Sequence, residues 1–201
     1  MAFEMDDRGR FNLVEIDESC NVNDLKIEIR GNKNKILVAK NSKFLGQYIR
    51  IWGHCNTIEI GEDCKIIGRI LFDGDEQRLS IGDGTTFERV GIVVAEGASV
   101  RIGEDCMFSY GISVRTSDAH SIIDTTTGKR TNFARDVVIG QHVWVGAETI
   151  IQKDALLSDN SIVGIRSIVN DRFEEKNIAV GGIPARHLRS NVDWRRELLA
   201  E

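Results

Sequence analysis

Apolar side chains return at every sixth position through the second half of the chain. Phe133, Ile139, Val145, Ile151, Leu157, Val163 and Val169 form one unbroken series. Small or β-branched residues stand four places after the members from Ile139 onward, at Val143, Thr149, Ala155, Ser161 and Ser167. Glycine directly follows the apolar position at Gly140, Gly146 and Gly164. The same phrase occurs upstream as IGEDCK from Ile60, IGDGTT from Ile81 and IGEDCM from Ile102, and from Ile102 the step continues through Phe108 to Val114. A six-residue period matches neither an α-helix nor an alternating strand. It matches a coil of triangular cross-section, with one short strand and one turn per side and one apolar residue per side pointing inward. Such coils stack as parallel strands. A β-sandwich of short strands is the alternative, and it keeps no strict six-residue phase.

The phase breaks in places that carry information. The polar run DGDEQR from Asp73 predicts a turn. Over residues 115–135 the repeat vanishes, and a loop of that length inside a compact domain points to function. The first fifty residues repeat more weakly, with Ile27, Ile29, Ile36, Val38 and Phe44 as inward positions. After Pro184 the repeat ends, and VDWRRELLAE predicts a short helix over residues 191–201, beginning near Asp193. The organisation expected is an all-β coil over residues 1–190 with the loop inserted, about eight or nine turns tall, and a terminal helix.

Composition narrows the function classes. A net charge of −5 leaves no basic surplus for broad nucleic-acid binding. No apolar run approaches the ~20 residues of a bilayer span, and the opening MAFEMDDRGR lacks the apolar stretch of a secretion signal. A cytoplasmic location is the expectation. The chain has 4 cysteines and no CxxC pair. Cys20, Cys64 and Cys106 each close a short repeat phrase, which reads as structural burial. A zinc site of the γ-class carbonic anhydrase kind would need a histidine pair five apart. The residue at that distance from His142 is Ala147, and from His120 it is Thr125, while His54 and His187 are unpaired too, so no metal is expected.

Between Cys106 and Arg189 stand CMFSYGISVRTSDAHSI, IGQHVWVGAETII and VGGIPARHLR, in that order. This stretch resembles the hexapeptide-repeat acyltransferases, in particular the galactoside, maltose and bacterial polysaccharide O-acetyltransferases. The SDAHSI form is most similar to the capsule and sialic-acid enzymes. The resemblance implies a left-handed parallel β-helix, a homotrimer with sites between adjacent subunits, acetyl-coenzyme A as co-substrate, and transfer to a hydroxyl of a sugar or polysaccharide. The left hand comes from the resemblance alone, since the general rule for parallel crossovers favours the opposite.

Thioester acyl transfer needs a base, and imidazole titrates near neutrality. His120 lies in the loop that breaks the repeat, where the resemblance implies the family's histidine base. An exposed loop histidine without a role is the plain alternative. Asp118 and Asp124 flank it, either to orient the ring or as ordinary loop residues. Trp144 falls between inward Val143 and Val145 and so faces outward, where a ligand or a subunit should cover it. The resemblance implies a role for Trp144 at the acetyl-coenzyme A and acceptor site. Backbone N–H groups are expected to hold the oxyanion, with Gly146 and Ala147 of the WVGA phrase as candidates. The resemblance further implies that Gly164, Arg166 and Ser167 lie on the pantetheine side and that Arg186, with Arg189 as a weaker second, meets the nucleotide phosphates.

Departures from the family pattern bear on the acceptor and on the phosphates. Asp171 occupies the place of a usual lysine, with Arg172 or Lys176 as substitutes, and Gly91 falls near the place of an acceptor-binding asparagine, with Glu88 as a polar stand-in. Transfer to an amino sugar or to serine is the enzymatic rival. A non-catalytic β-helix scaffold is the rival of another class, and it would not need the loop histidine, the outward tryptophan and the terminal basic phrase together.

Overall fold

A computed structural model describes residues 3–200. All regular elements among them are strands, and they stack into a three-sided parallel coil. The third face is an unbroken 8-stranded ladder running from Leu13–Ile16 through Ser99–Ile102 to Arg172–Phe173. The second face starts with Glu4–Asp7, Lys26–Arg30 and Tyr48–Trp52 and ends with Ile150–Ile151 and Ile168–Val169. The first face carries short strands such as Lys65–Ile66, Trp144–Val145 and Ile162–Val163. Two long strands, Thr86–Ala95 and Met107–Arg115, bend round the corner from the first face to the second, with a register shift between Arg89 and Val90.

The six-residue phase is the inside of this prism. Ile139, Val145, Ile151, Leu157, Val163 and Val169 are all buried, as are the upstream Ile102, Phe108 and Val114 and the weaker set Ile27, Ile29, Ile36, Val38 and Phe44. Each fully buried branched or aromatic side chain contributes roughly 1.5–3 kcal/mol relative to exposure. Phe133, the first member of the series, is different. It is 57% exposed and lies under the Arg130 guanidinium at 5.2 Å, because it belongs to the inserted loop and has no coil above or below it.

Coil length changes along the axis. In the first half Leu13 pairs with Lys35 and Lys35 with Thr57, a step of 22 residues. In the second half Trp144 pairs with Ile162, which is the 18-residue step that three hexapeptides produce. The extra residues occupy a corner where Asn12, Asn34, Asn56 and Gln77 form a polar ladder. Asn34 Nδ2 donates to Asn12 Oδ1, Asn56 Nδ2 to Asn34 Oδ1, and the Gln77 N–H to Asn56 Oδ1. Asn34, Asn56 and Gln77 are fully buried, so the ladder supplies partners that water cannot.

The corner from the third face to the first is a column of left-handed residues. Asn41, Asp63, Gly84, Asp105, His142, Asn160 and Asn177 all have positive φ. Asn, Asp and Gly suit that conformation best, so His142 is the outlier of the column. Just before it runs a glycine column, in which a Cβ on Gly103 would sit 2.6 Å from the Gln141 backbone nitrogen in the next coil.

The expected terminal helix does not form in the described residues, and Glu201 lies outside them. After Ile178–Gly182 the chain doubles back as Ala185–Ser190, antiparallel to it. Residues 191–200 then run back along the coil without regular structure. Trp194 is 4% exposed and Arg196 is bonded to Asp105. Docking these two side chains outweighs the marginal propensity of so short a helix.

Candidate active site

The inserted loop leaves the prism at the corner between the second and third faces. Residues 116–136 form an excursion closed by an antiparallel bridge between Ile123 and Arg130. His120 is on its rising limb and exposed, and among the described residues its imidazole has no hydrogen-bond partner.

Its backbone, by contrast, is held. Asn132, on the descending limb and 8% exposed, donates through Nδ2 to the His120 carbonyl and to Asp118 Oδ2, both at 2.8 Å. Its Oδ1 accepts from the Ile122 N–H at 2.7 Å. Asp118 also takes Lys153 Nζ at 2.5 Å, from the same corner one coil on, and the same ammonium reaches the Asn132 carbonyl at 3.2 Å. The Lys153 ammonium first, and then the Asn132 amide, hold the Asp118 carboxyl below its usual range. Arg130 pairs with Glu96 at 2.7 Å, and Ser117 donates to the same carboxylate.

Asp118 braces the loop and is turned toward Lys153 and Asn132. Asp124 caps the tip turn by accepting from the Thr126 and Thr127 N–H groups at 2.9 and 2.7 Å. Asn132 and Lys153 are the members that sequence reading passed over. Their only signal was a polar residue in a non-repeating segment and a cation at a corner.

Trp144 faces outward on the first face, as its phase requires, and remains 38% exposed. Trp194 leans over it, with ring centroids 6.3 Å apart, and stacks on His142. In a triangular prism the corner between the second and third faces lies opposite the first face. One chain therefore holds His120 and Trp144 on opposite sides of the coil.

The corner between the first and second faces gathers the remaining candidates. Gly146 donates its N–H to the Val163 carbonyl, whereas the Ala147 N–H has no acceptor among the described residues. Gly164 stacks in the next coil, and Arg166 projects from the corner, paired with Glu148 at 2.5 Å. Ser167 points inward instead. It is 1% exposed, its hydroxyl donates to the Gly164 carbonyl, and its oxygen accepts from the Gly182 N–H. Its side chain thus closes a turn. Arg186 is exposed on the terminal hairpin with a bond only to the Ala185 carbonyl.

Buried thiols are poor nucleophiles here. Burial pushes the Cys64 and Cys106 thiols up to about 11, so little thiolate exists near neutrality. No three His, Cys, Asp or Glu side chains converge as a metal ligand set among the described residues.

A left-handed parallel β-helix with a braced histidine loop defines the class as a hexapeptide-repeat acyltransferase. No family model matches the chain. A polysialic acid O-acetyltransferase of Neisseria meningitidis is 30% identical over 192 residues, spanning 96% of this chain and 89% of that one. A polysialic acid O-acetyltransferase of Escherichia coli is 31% identical over the whole chain, which spans 64% of that relative's length. Among solved structures, a polysialic acid O-acetyltransferase superposes with a TM-score of 0.93 at 29% identity, covering 99% of this chain and 93% of that one. A galactoside acetyltransferase in complex with coenzyme A superposes with a TM-score of 0.52 at 17% identity over 71% of this chain, a likeness of fold alone. The chain belongs to the hexapeptide-repeat acetyltransferase family that contains these polysialic acid enzymes, and it is an O-acetyltransferase.

Proposed function

We propose that this enzyme transfers acetyl from acetyl-coenzyme A to a hydroxyl of a capsule polysaccharide by direct attack within a ternary complex. Its relatives act, by name, on polysialic acid, and that polymer is the first acceptor to try. The observation that carries the mechanism is the free imidazole of His120 on a loop whose backbone is pinned by Asn132.

His120 removes the proton as the acceptor oxygen attacks the thioester carbonyl. The resulting oxyanion takes a hydrogen bond from a backbone N–H, for which the unpaired Ala147 group is suited. Collapse breaks the C–S bond, and the imidazolium returns its proton to the departing thiolate. General base catalysis of this kind is worth about 10²–10⁴ in rate. Because His120 and Trp144 lie on opposite sides of one coil, a working site takes the histidine from one subunit and the tryptophan from the next. A homotrimer supplies three such seams. Arg166 and Arg186 sit at the first-to-second-face corner and on the terminal hairpin, suited to the pantetheine side and the nucleotide phosphates. A cytoplasmic location, where acetyl-coenzyme A is supplied, belongs to the same reading.

The test is thiol release from acetyl-coenzyme A with polysialic acid and with neutral glycans, comparing wild type with His120→Ala and weighing the particle by sedimentation. Acceptor-dependent release that falls about 10²-fold or more in the variant is expected. Release that persists in His120→Ala removes the base, and an active monomer removes the shared site.

A further inference from the structure

A groove of about 540 Å³ opens on the second face at its border with the first. Gly46, Gly68, Gly91 and Gly111 form its floor, and Arg69 and Arg89 form its walls. The glycines leave backbone at the surface over successive coils, so an extended chain can lie flush along the prism axis. At Gly91 the Arg69 arm runs over the bare backbone, with Nε 3.4 Å from where a Cβ would stand. The place where the family sets an acceptor-binding asparagine is thus given to an arginine from the preceding coil.

Both arginines are exposed, and among the described residues neither makes an ion pair or a hydrogen bond. Arg50, one coil below Leu71 on the same face, is in contrast locked to Asp73 at 2.7 Å and lies 3.9 Å over Trp52. Two carboxylates beside the groove are taken: Glu88, next to Arg89 in the chain, pairs with Lys65 at 2.8 Å, and Glu148, beside Gly111, pairs with Arg166. Arg115, also exposed and unpaired among the described residues, follows the groove-lining Ser113 toward the loop. The groove itself runs along the axis at the border of the first and second faces, and Arg115 stands across the second face from it, on the side from which His120 rises.

We propose that Arg69 and Arg89 form an acceptor subsite that binds the carboxylates of an acidic glycan. The proposal deepens the acetyl-transfer reading above and rests on it for the word acceptor. A chain of net charge −5 repels a polyanion at long range, so such a polymer binds only where cations are concentrated and unengaged. Guanidinium groups hold carboxylates in paired, charge-assisted bonds. Neighbouring coils are about 4.8 Å apart, and Arg89 stands two residues before Gly91, the register partner of Arg69. The two arginines are thus offset both along and across the axis and can meet two carboxylates of one glycan chain.

Binding is measured apart from catalysis, by equilibrium titration of fluorescent oligosialic acid with the full chain. The variants are Arg69→Gln, Arg89→Gln, their combination, and Arg78→Gln on the third face as a matched change of charge. Each groove variant should weaken binding about tenfold and the pair more steeply, with Arg78→Gln within about twofold. Oligosialic acid with its carboxyls reduced to alcohols should not compete. Failure of wild type to bind either oligosialic acid or a uronic acid polymer overturns the subsite, even if acetyl transfer to a neutral sugar is found. Equal loss in Arg78→Gln also overturns it, as unspecific charge. Binding that follows the arginines without any acetyl transfer keeps the subsite and removes the acetyl-transfer reading.

Discussion

His142 and Trp194 stack face to face, with ring centroids 4.3 Å apart and planes inclined by 10°. The indole Nε1 donates to the His142 carbonyl at 2.9 Å. The ring nitrogens of His142 lie 2.7 Å from Asp105 Oδ2 and 3.1 Å from the Trp194 carbonyl. Arg196 then grips Asp105 and reaches the Gly84 and Cys106 carbonyls. Residues 193–196 thereby strap the C-terminal tail across the coil beside Trp144.

Removing the strap should loosen Trp144. In Trp194→Ala the stack, the indole bond and the packing over Trp144 all disappear. We expect a stability loss of about 3 kcal/mol, in the range for truncating a buried aromatic. The KM for acetyl-coenzyme A should rise several-fold while that for the acceptor stays level. Thermal unfolding and initial-rate kinetics check the two parts, and an unaltered donor KM would detach the tail from the site.

Asn132 should matter to turnover more than to folding. Asn132→Ala removes the bonds to the His120 carbonyl, to Asp118 and from the Ile122 N–H. A fall in kcat of about tenfold or more is expected, since misplacing a catalytic group by ~1 Å can cost 10²-fold. The thermal midpoint should shift by only a few degrees. A large thermal shift with normal kcat would assign Asn132 to the fold alone.

Acid should release the loop late. Hydrogen bonds from Lys153 and Asn132 depress the Asp118 carboxyl below its ordinary 3.8. A depressed folded value means the brace is fully present above the unfolded value and is lost as pH falls through the lower, folded one. Proteolysis of residues 116–136 in wild type should therefore stay slow down to about pH 4 and accelerate below it. Asp118→Asn should be cleaved rapidly at every pH.

The asparagine ladder should be a large stability element. Asn56→Ala leaves the Gln77 N–H and the Gly74 carbonyl without their buried partners. Orphaned groups cost about 1–3 kcal/mol each, so a total near 2–6 kcal/mol is expected by urea unfolding. Asn12→Ala, at the exposed end of the ladder, should cost less.

The thiols should divide by burial. Cys20, Cys64 and Cys106 are buried and Cys55 is exposed, so native alkylation should yield one adduct, at Cys55, by mass spectrometry. Cys106→Ala should keep its activity, because a thiol pushed up to about 11 is no acyl carrier.

The coil was legible from residues 139–169 because an inward side chain once per face is a local rule, repeated until chance is excluded. The outward turn of Trp144 followed from the same phase, and the loop, read over residues 115–135, from its absence. His120 as a site residue came from a motif, not from periodicity. Other features depended on contacts between residues far apart in sequence. The buried asparagine ladder, the 22-residue early coils, and the grip of Lys153 on Asp118 across 35 positions are cross-coil pairings that no local pattern encodes. The tail was misread as a helix because its local propensity was real but weak, and docking of Trp194 on His142 overrode it. Phe133 kept the phase but lost its neighbours, so the six-residue rule held in letter and failed in packing. Sequence determined which side chains face the core, since that depends on phase alone. Tertiary structure decided which polar groups meet, since that depends on how coils of unequal length stack.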